Sequence, residues 1–385
     1  MNRTIIKDTS ILTPQGFQRG NLIIEDGKIL EVASPRMPEN SQIIQGKGRK
    51  IVPGFIDIHT HGAVQVDFNH AEAEDVLRVA EYFASQGVTS FYPAIMTDEI
   101  PVMCQRLAAV ARAKNELGCN AIAGIHLEGP FLAPAYKGAM PEHLLQKPGY
   151  ELFCQFQEAA QGLIKVVTIA PELEGAVGLI QRLSQEGVRV SLGHSGASYE
   201  QTMEAIQAGA ASTTHTMNGM KLLHMHDPAI LTAALESDIY CEMICDGFHL
   251  HPPIIRLLLK TKGLNRMIPV TDSIMAAGCP DGEYVLGVNP VVVQGGDAKL
   301  KTTGVRAGST LTMKKAVDNI RQFTRLPEED VYRLVSQNAA QLMGIFDKTG
   351  SIETGKQADL VLINQDNRID LVLTQGQITY YADKI

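Results

Sequence analysis

The stretch from Ile51 to Gly62 reads Ile-Val-Pro-Gly-Phe-Ile-Asp-Ile-His-Thr-His-Gly, an apolar run with the character of a buried strand that ends in two histidines one residue apart. Successive side chains of a strand point to opposite faces, so Asp57, His59 and His61 are expected on one face. Two imidazoles at the end of one strand can grip a metal ion, which then needs further ligands from elsewhere in the chain.

Beyond that strand the sequence alternates strand-like and helix-like segments. Phe55–His61 is followed by the amphipathic run Ala73–Gln86, Ser90–Ile95 by Val102–Lys114, and Ala121–Glu128 by Gly149–Gln161. Ile164–Pro171 leads to Ala176–Glu186, Val188–His194 to Tyr199–Ala208, and Ser212–Asn218 to Pro228–Ser237. Ile239–Gly247 precedes Pro253–Lys262, and Met267–Asp272 precedes Leu311–Phe323. Eight such repeats are the count of an α/β fold built as a (β/α)8 TIM-like barrel. Gly282 to Gly308, rich in Gly and Val, reads as a β-hairpin inserted between the eighth strand and its helix, and Glu328–Met343 as one further helix.

The chain ends read differently. Residues 4–51 give short strands with a hairpin signal at Asp26-Gly27, and Ala358–Ile363 and Asp370–Thr379 give strands with a turn at Gln375-Gly376. The two ends are expected to pair into one small β-sandwich domain, residues 1–52 with 346–385, enclosing a barrel of residues 53–345.

At 385 residues, with 45% hydrophobic and 20% charged side chains, the composition is that of a globular protein with a large core. A net charge of −8 disfavours a nucleic-acid partner. The first residues lack an apolar signal core and no stretch is long and apolar enough to span a bilayer, so a cytoplasmic location without a membrane partner is expected. Cys104, Cys119, Cys154, Cys241, Cys245 and Cys279 form no C-x-x-C pair and read as reduced thiols, with Cys241 and Cys245 as small buried apolar side chains.

In barrels of this kind chemistry gathers at the C-terminal ends of the strands. There the sequence places His59 and His61, Glu128, His194, His215, Asp246 with His249, and Asp272. H-x-H alone is weak: chance gives about 0.3 such pairs for this histidine content. His59/His61 terminates an apolar strand, whereas His224/His226 and His249/His251 fall in loops. His126, one layer below Glu128, reads as a core histidine or one that orients a ligand. His194 and His215, taken singly, are as readily structural as metal-binding. With Glu128 they form a Glu/His/His set, a known zinc type that leaves a position open. Asp272 has the plain reading of a helix cap or a salt-bridged aspartate. Because the strand order brings the eighth strand back beside the first, it reads instead, opposite a metal-bound water, as the proton shuttle.

These residues resemble the amidohydrolase superfamily. The resemblance is carried by Pro53-Gly-Phe-Ile-Asp-Ile-His-Thr-His-Gly, the strand-end Glu, His and His, and Thr271-Asp272. More narrowly, Gly87-Val-Thr-Ser-Phe-Tyr-Pro, His126-Leu-Glu-Gly-Pro-Phe, Gly193-His-Ser, Thr214-His-Thr-Met-Asn, Asp246-Gly-Phe-His and Ala307-Gly-Ser-Thr-Leu-Thr-Met are similar to the N-acetylglucosamine-6-phosphate deacetylase family, as is the closing Gly350-Ser-Ile-Glu-Thr-Gly-Lys-Gln-Ala-Asp-Leu-Val. The resemblance implies a metal-dependent hydrolase that removes acetate from an amino-sugar phosphate, and a homodimer. It implies Glu128, His194 and His215 as ligands of one divalent metal and His59 and His61, with Glu128 bridging, as ligands of a second where one is kept. Zinc, Fe, Mn, Co and Ni all suit such ligands. It further implies Asp272 as the catalytic acid and base, and Asn218, Gly219, Asp246, His249, Ala307 and Gly308 as substrate-binding positions.

The sequence departs from the family pattern in three places. Met140 stands where a carbonyl-polarising histidine is often found and cannot donate a hydrogen bond. His226 replaces an arginine that reaches a neighbouring subunit's phosphate, and Arg306 replaces an apolar residue, which suggests that Arg306 grips the anion instead. N-acetylgalactosamine 6-phosphate or another N-acetyl sugar is the alternative substrate. A cyclic-amide hydrolase is a rival, but that group often bridges its metals with a modified lysine where this strand offers Glu128. A non-catalytic relative would have lost ligands.

Overall fold

A computed structural model describes residues 3–382. Eight parallel strands follow one another round a barrel in chain order: Phe55–Thr60, Val88–Met96, Ile125–Glu128, Ile164–Ile169, Arg189–Leu192, Ser212–Thr213, Tyr240–Ile244 and Met267–Val270. The first and eighth strands meet only at their C-terminal ends. Thr60 bridges to Ser273, the Asp272 N–H donates to the His59 carbonyl at 2.9 Å, and the His61 N–H donates to the Ser273 carbonyl at 2.7 Å. Below that seam Asp57 is buried, and it accepts from Thr271 Oγ1 at 2.6 Å and from the Thr271 N–H at 3.3 Å. The strand-to-strand closure therefore lies where the catalytic residues are expected.

The eight helices that return the chain, from Ala73–Ser85 to Met313–Thr324, cover the barrel by ordinary amphipathic logic. Met313, Ala316, Val317 and Ile320 line one face of the last of these, and the Thr312 hydroxyl accepts from the Lys315 N–H at 3.2 Å to satisfy its first turn. None of the described helices is long and apolar enough to cross a membrane.

Both chain ends join one mixed sheet. Its order is Gln377–Tyr381, Ile369–Thr374, Leu360–Ile363, Lys50–Pro53, Arg3–Thr13, Gly16–Glu25 and Lys28–Ser34, with Gln42–Gln45 beside Arg3–Thr13. The sheet folds back on itself: Lys28 bridges to Gln357, the Ala358 N–H donates to the Gly27 carbonyl at 2.9 Å, and the Asp26-Gly27 and Gln375-Gly376 turns touch. Ile6, Ile11, Leu22, Ile24, Leu360, Leu362, Leu371 and Leu373 fill the space enclosed, which makes the expected sandwich from a single folded sheet. Alternate residues Val361, Ile363 and Val372 face the other way, into the barrel's core.

Three expectations need correction. The Ile51–Gly62 run is not one strand. It divides at Gly54, which donates to the Asp359 carbonyl at 2.9 Å and passes so close to Thr89 that a Cβ there would lie 2.0 Å from its hydroxyl. Residues 282–308 hold three antiparallel strands rather than a hairpin, Gly282–Leu286, Asn289–Gln294 and Asp297–Leu300. Glu328–Met343 is two short helices, Glu328–Leu334 and Gln337–Leu342. The Val335 carbonyl, which an unbroken helix would give to Ala339, takes the Ile56 N–H at 2.9 Å instead.

Thr271→Val keeps the shape of the seam but removes a hydrogen bond to a buried carboxylate. It is expected to cost about 2 kcal/mol, read as a lower urea midpoint at unchanged slope. An unaltered midpoint would show that this contact does not hold the barrel closed.

Candidate metal centre

Glu128 is the last residue of the third strand, His59 lies near the end of the first, and His61 follows just outside it. His194, His215 and Asp272 each stand two residues past their strands, with φ of 48°, 30° and 48°. A left-handed backbone at a non-glycine residue costs about 1–3 kcal/mol and persists only where the surroundings impose it. The His215 N–H is held by Glu242 Oε2 at 2.9 Å, and the Asp272 carbonyl by the Ser309 N–H at 2.7 Å.

The imidazoles are oriented from behind. His194 Nδ1 lies 2.7 Å from the Tyr136 carbonyl oxygen and His215 Nδ1 lies 3.0 Å from that of Asn218. A carbonyl oxygen only accepts, so both rings carry a proton on Nδ1 and turn Nε2 inward. Those two Nε2 atoms are 3.1 Å apart, and each is 3.2 Å from Glu128 Oε1. With their outer nitrogens so engaged, the two inner nitrogens and the carboxylate oxygen face one another across a space that a cation would fill. His59 Nε2 and His61 Nε2 lie 3.3 Å apart on the other side, 3.4 Å and 3.3 Å from the two Glu128 oxygens. Among the described residues the donor set fits metal binding as two triads sharing one carboxylate, His59/His61/Glu128 and Glu128/His194/His215, with His59, His126 and Glu242 forming a third group of possible ligands behind them.

All of these groups are buried, and His59, His61, Glu128 and Asp272 favour one another's charged forms. Burial alone would lower the His59 pKa, yet Glu128 and Glu242 carry it well above the usual imidazole range. Glu128 is driven well below the ordinary carboxylate range in spite of its burial, chiefly by His59 and by hydrogen bonds from His194 and His215. Asp272 is likewise brought down to about 2 against its burial, by the His61 hydrogen bond and the charge on His59. Its Oδ1 lies 3.0 Å from His61 Nε2. His126 has both ring nitrogens engaged elsewhere, 3.1 Å from the Ile58 carbonyl and 2.8 Å from Thr168 Oγ1, and burial pushes its pKa well down.

The remaining sequence candidates fall into two groups. Asn218 and Gly219 pack against His194 and His215; Gly219, at φ 57°, lies so near that a Cβ would come within 3.2 Å of His194 Nδ1. Asp246 Oδ2 is 2.6 Å from His249 Nδ1 while Oδ1 caps the turn below, and His249 feels the charges of Asp272 and Arg306. Gly308, at φ 59°, runs against Ile274 and the Asp272 carbonyl, fixing the backbone of that aspartate, and Ala307 is buried beside it. Arg306 is partly exposed and forks onto Asp297, with Nε 2.8 Å and a terminal nitrogen 3.1 Å from its oxygens. Met140 is buried in an apolar cluster with Met96, Leu132, Ile274 and Leu286, under the three-stranded insertion. His226 stands on an exposed loop beside His224, and none of its hydrogen bonds reaches the cluster.

One residue escaped the sequence reading. Glu242, fully buried on the seventh strand, places Oε2 3.1 Å from His59 Nδ1. The signal was present, a glutamate between Cys241 and Met243 in an apolar strand, since a buried carboxylate needs partners.

With this geometry in hand, the similarity to known proteins is specific. Residues 51–379 match the amidohydrolase family, and the chain belongs to it. An N-acetylglucosamine-6-phosphate deacetylase of Bacillus subtilis (strain 168) is 36% identical over 387 residues, covering 98% of this chain and 97% of that protein. An N-acetylgalactosamine-6-phosphate deacetylase of Escherichia coli O157:H7 is 32% identical, covering 98% of this chain and 99% of its own. A crystal structure of a mutant N-acetyl-D-glucosamine-6-phosphate deacetylase from Mycobacterium smegmatis, in complex with N-acetyl-D-glucosamine 6-phosphate, superimposes with a TM-score of 0.90 at 29% identity, over 98% of this chain and all of that one.

If Glu128 is shared by both triads, Glu128→Gln should weaken divalent-metal binding at both by at least ~100-fold, measured by equilibrium dialysis and elemental analysis. Retention of the full wild-type metal content would rule out the shared role.

Proposed function

We propose that this protein hydrolyses the acetamido bond of N-acetylglucosamine 6-phosphate, giving glucosamine 6-phosphate and acetate. The observation that carries the reading is an ionised Asp272 set 3.0 Å from His61, beside two ligand triads that share Glu128. It is supported by deacetylase relatives that match nearly end to end. The galactosamine epimer is the second reading, favoured by the Escherichia coli O157:H7 relative.

A divalent cation bound in such a site, zinc foremost and Fe, Mn, Co or Ni as alternatives, lowers the pKa of water to about 7 and polarises a carbonyl oxygen. One ion at Glu128/His194/His215 and a second at His59/His61/Glu128 is the stoichiometry we favour. Asp272 does the proton work. Its carboxylate is ionised, its backbone is fixed on both sides by His59 and Ser309, and it can take a proton and return it to the nitrogen. Without that return an amide nitrogen leaves poorly. Met140, buried in its apolar cluster, can donate no hydrogen bond to an acyl oxygen, so polarising the carbonyl would be the metal's part.

The sugar phosphate is assigned to the side bearing His249 and Arg306. Arg306 keeps N–H groups beyond those committed to Asp297, which holds its fork in place. A homodimer fits the loop Leu222, Leu223 and Met225, three large apolar side chains that stand exposed next to His226. A cytoplasmic location accords with six unpaired cysteines.

Asp272→Asn is expected to retain metal and lower kcat by about 10³-fold in an acetate-release assay; near-normal turnover would remove Asp272 from the reaction. Arg306→Ala should raise KM about tenfold for the phosphorylated sugar and leave the unphosphorylated sugar unaffected. An equal effect on both would reject phosphate recognition by Arg306.

A further inference from the structure

Glu242 has no part in the chemistry just described, yet it occupies a costly place. It is fully buried on the seventh strand, Oε1 has no hydrogen-bond partner, and Oε2 serves two groups at once. One is His59 Nδ1, at 3.1 Å; the other is the His215 N–H, at 2.9 Å. The Glu242 carbonyl also accepts from the Thr216 N–H at 3.0 Å, so the same residue clamps His215 from both sides of its left-handed backbone. A carboxylate oxygen accepts, so His59 Nδ1 carries a proton toward Glu242 and Nε2 is the nitrogen turned to Glu128.

His59 belongs to one triad and His215 to the other. We infer that Glu242 is the positioning residue that couples the two metal subsites, its single oxygen setting the ring of His59 and the backbone of His215 together. This rests on the two-ion reading given above. Through this contact the ligand sets form a unit, and a disturbance at Glu242 reaches both ions although it touches neither.

The test is a titration of metal-free protein with zinc against a chromophoric chelator, for wild type, Glu242→Leu, Glu242→Gln and His59→Asn. Wild type is expected to take up two ions and His59→Asn one. Glu242→Leu, which keeps bulk and removes the acceptor, should weaken both ions by about 10–100-fold. Glu242→Gln, which retains an acceptor oxygen, should recover part of that loss. Unchanged affinities in Glu242→Leu, or weakening of one ion alone, would overturn the coupling. Uptake of a single ion by wild type would reject the two-ion reading and the coupling with it. If the leucine variant does not fold, nuclear magnetic resonance of the zinc-loaded wild type decides. A deshielded, slowly exchanging Nδ1–H resonance of His59, identified by its loss in His59→Asn, is expected, and its absence overturns the assignment.

Discussion

Glu128, Glu242 and Asp272 lie buried among the imidazoles of His59, His61, His126, His194 and His215, at the end of the barrel where its first and eighth strands join. Taking so many ionisable groups out of water is strongly unfavourable for each alone, and tolerable only when every charge meets an opposite one at close range. Much of the surrounding structure answers that requirement. Backbone carbonyls of Tyr136 and Asn218 hold the protons of two rings on their outer nitrogens. Three residues accept a left-handed backbone so that their side chains converge. Glycines at 219 and 308 allow loops to press against the histidines and the aspartate where a larger residue would collide. Strain and burial are concentrated in one place, and the apolar core beneath offsets both.

The order of the elements was legible in the chain because a repeating alternation of apolar strand and amphipathic helix is a pattern of sequence alone. All eight expected strand–helix pairs are present, with boundaries displaced by a few residues. What was not legible depends on contacts from far away. The break at Gly54 follows from Thr89 and Asp359, and the interruption between the last two helices from Ile56. No local preference near Val335 announces that its carbonyl belongs to a strand almost three hundred residues earlier.

The site divides along the same line. His59, His61, Glu128, His194, His215 and Asp272 could be picked out because they end apolar strands, and the barrel brings strand ends together. Their second partners were invisible, since the Tyr136 and Asn218 carbonyls carry no sequence signal. Glu242 did carry one, but it lies in mid-strand, where the eye is on apolar periodicity. The positions expected to meet substrate do not share one setting: Gly219 presses on His194 and Gly308 on the Asp272 carbonyl, Asp246 and His249 pair with each other, and His226 projects from an exposed loop.

The folded end sheet also has a bearing on how the chain is made. Lys50–Pro53 lies between Arg3–Thr13 and Leu360–Ile363, so Ile51 pairs with Ile11 on one side and with Leu362, far later in the chain, on the other. During translation the first neighbour is available at once, while the second emerges only after the whole barrel has been synthesised, an interval on the order of tens of seconds. Throughout that interval a nascent chain displays an unpaired apolar strand edge next to the ribosome, open to pairing with any other extended segment. The architecture thus leaves the nascent chain with a long-lived sticky margin, shielded only once Leu360–Ile363 has been made.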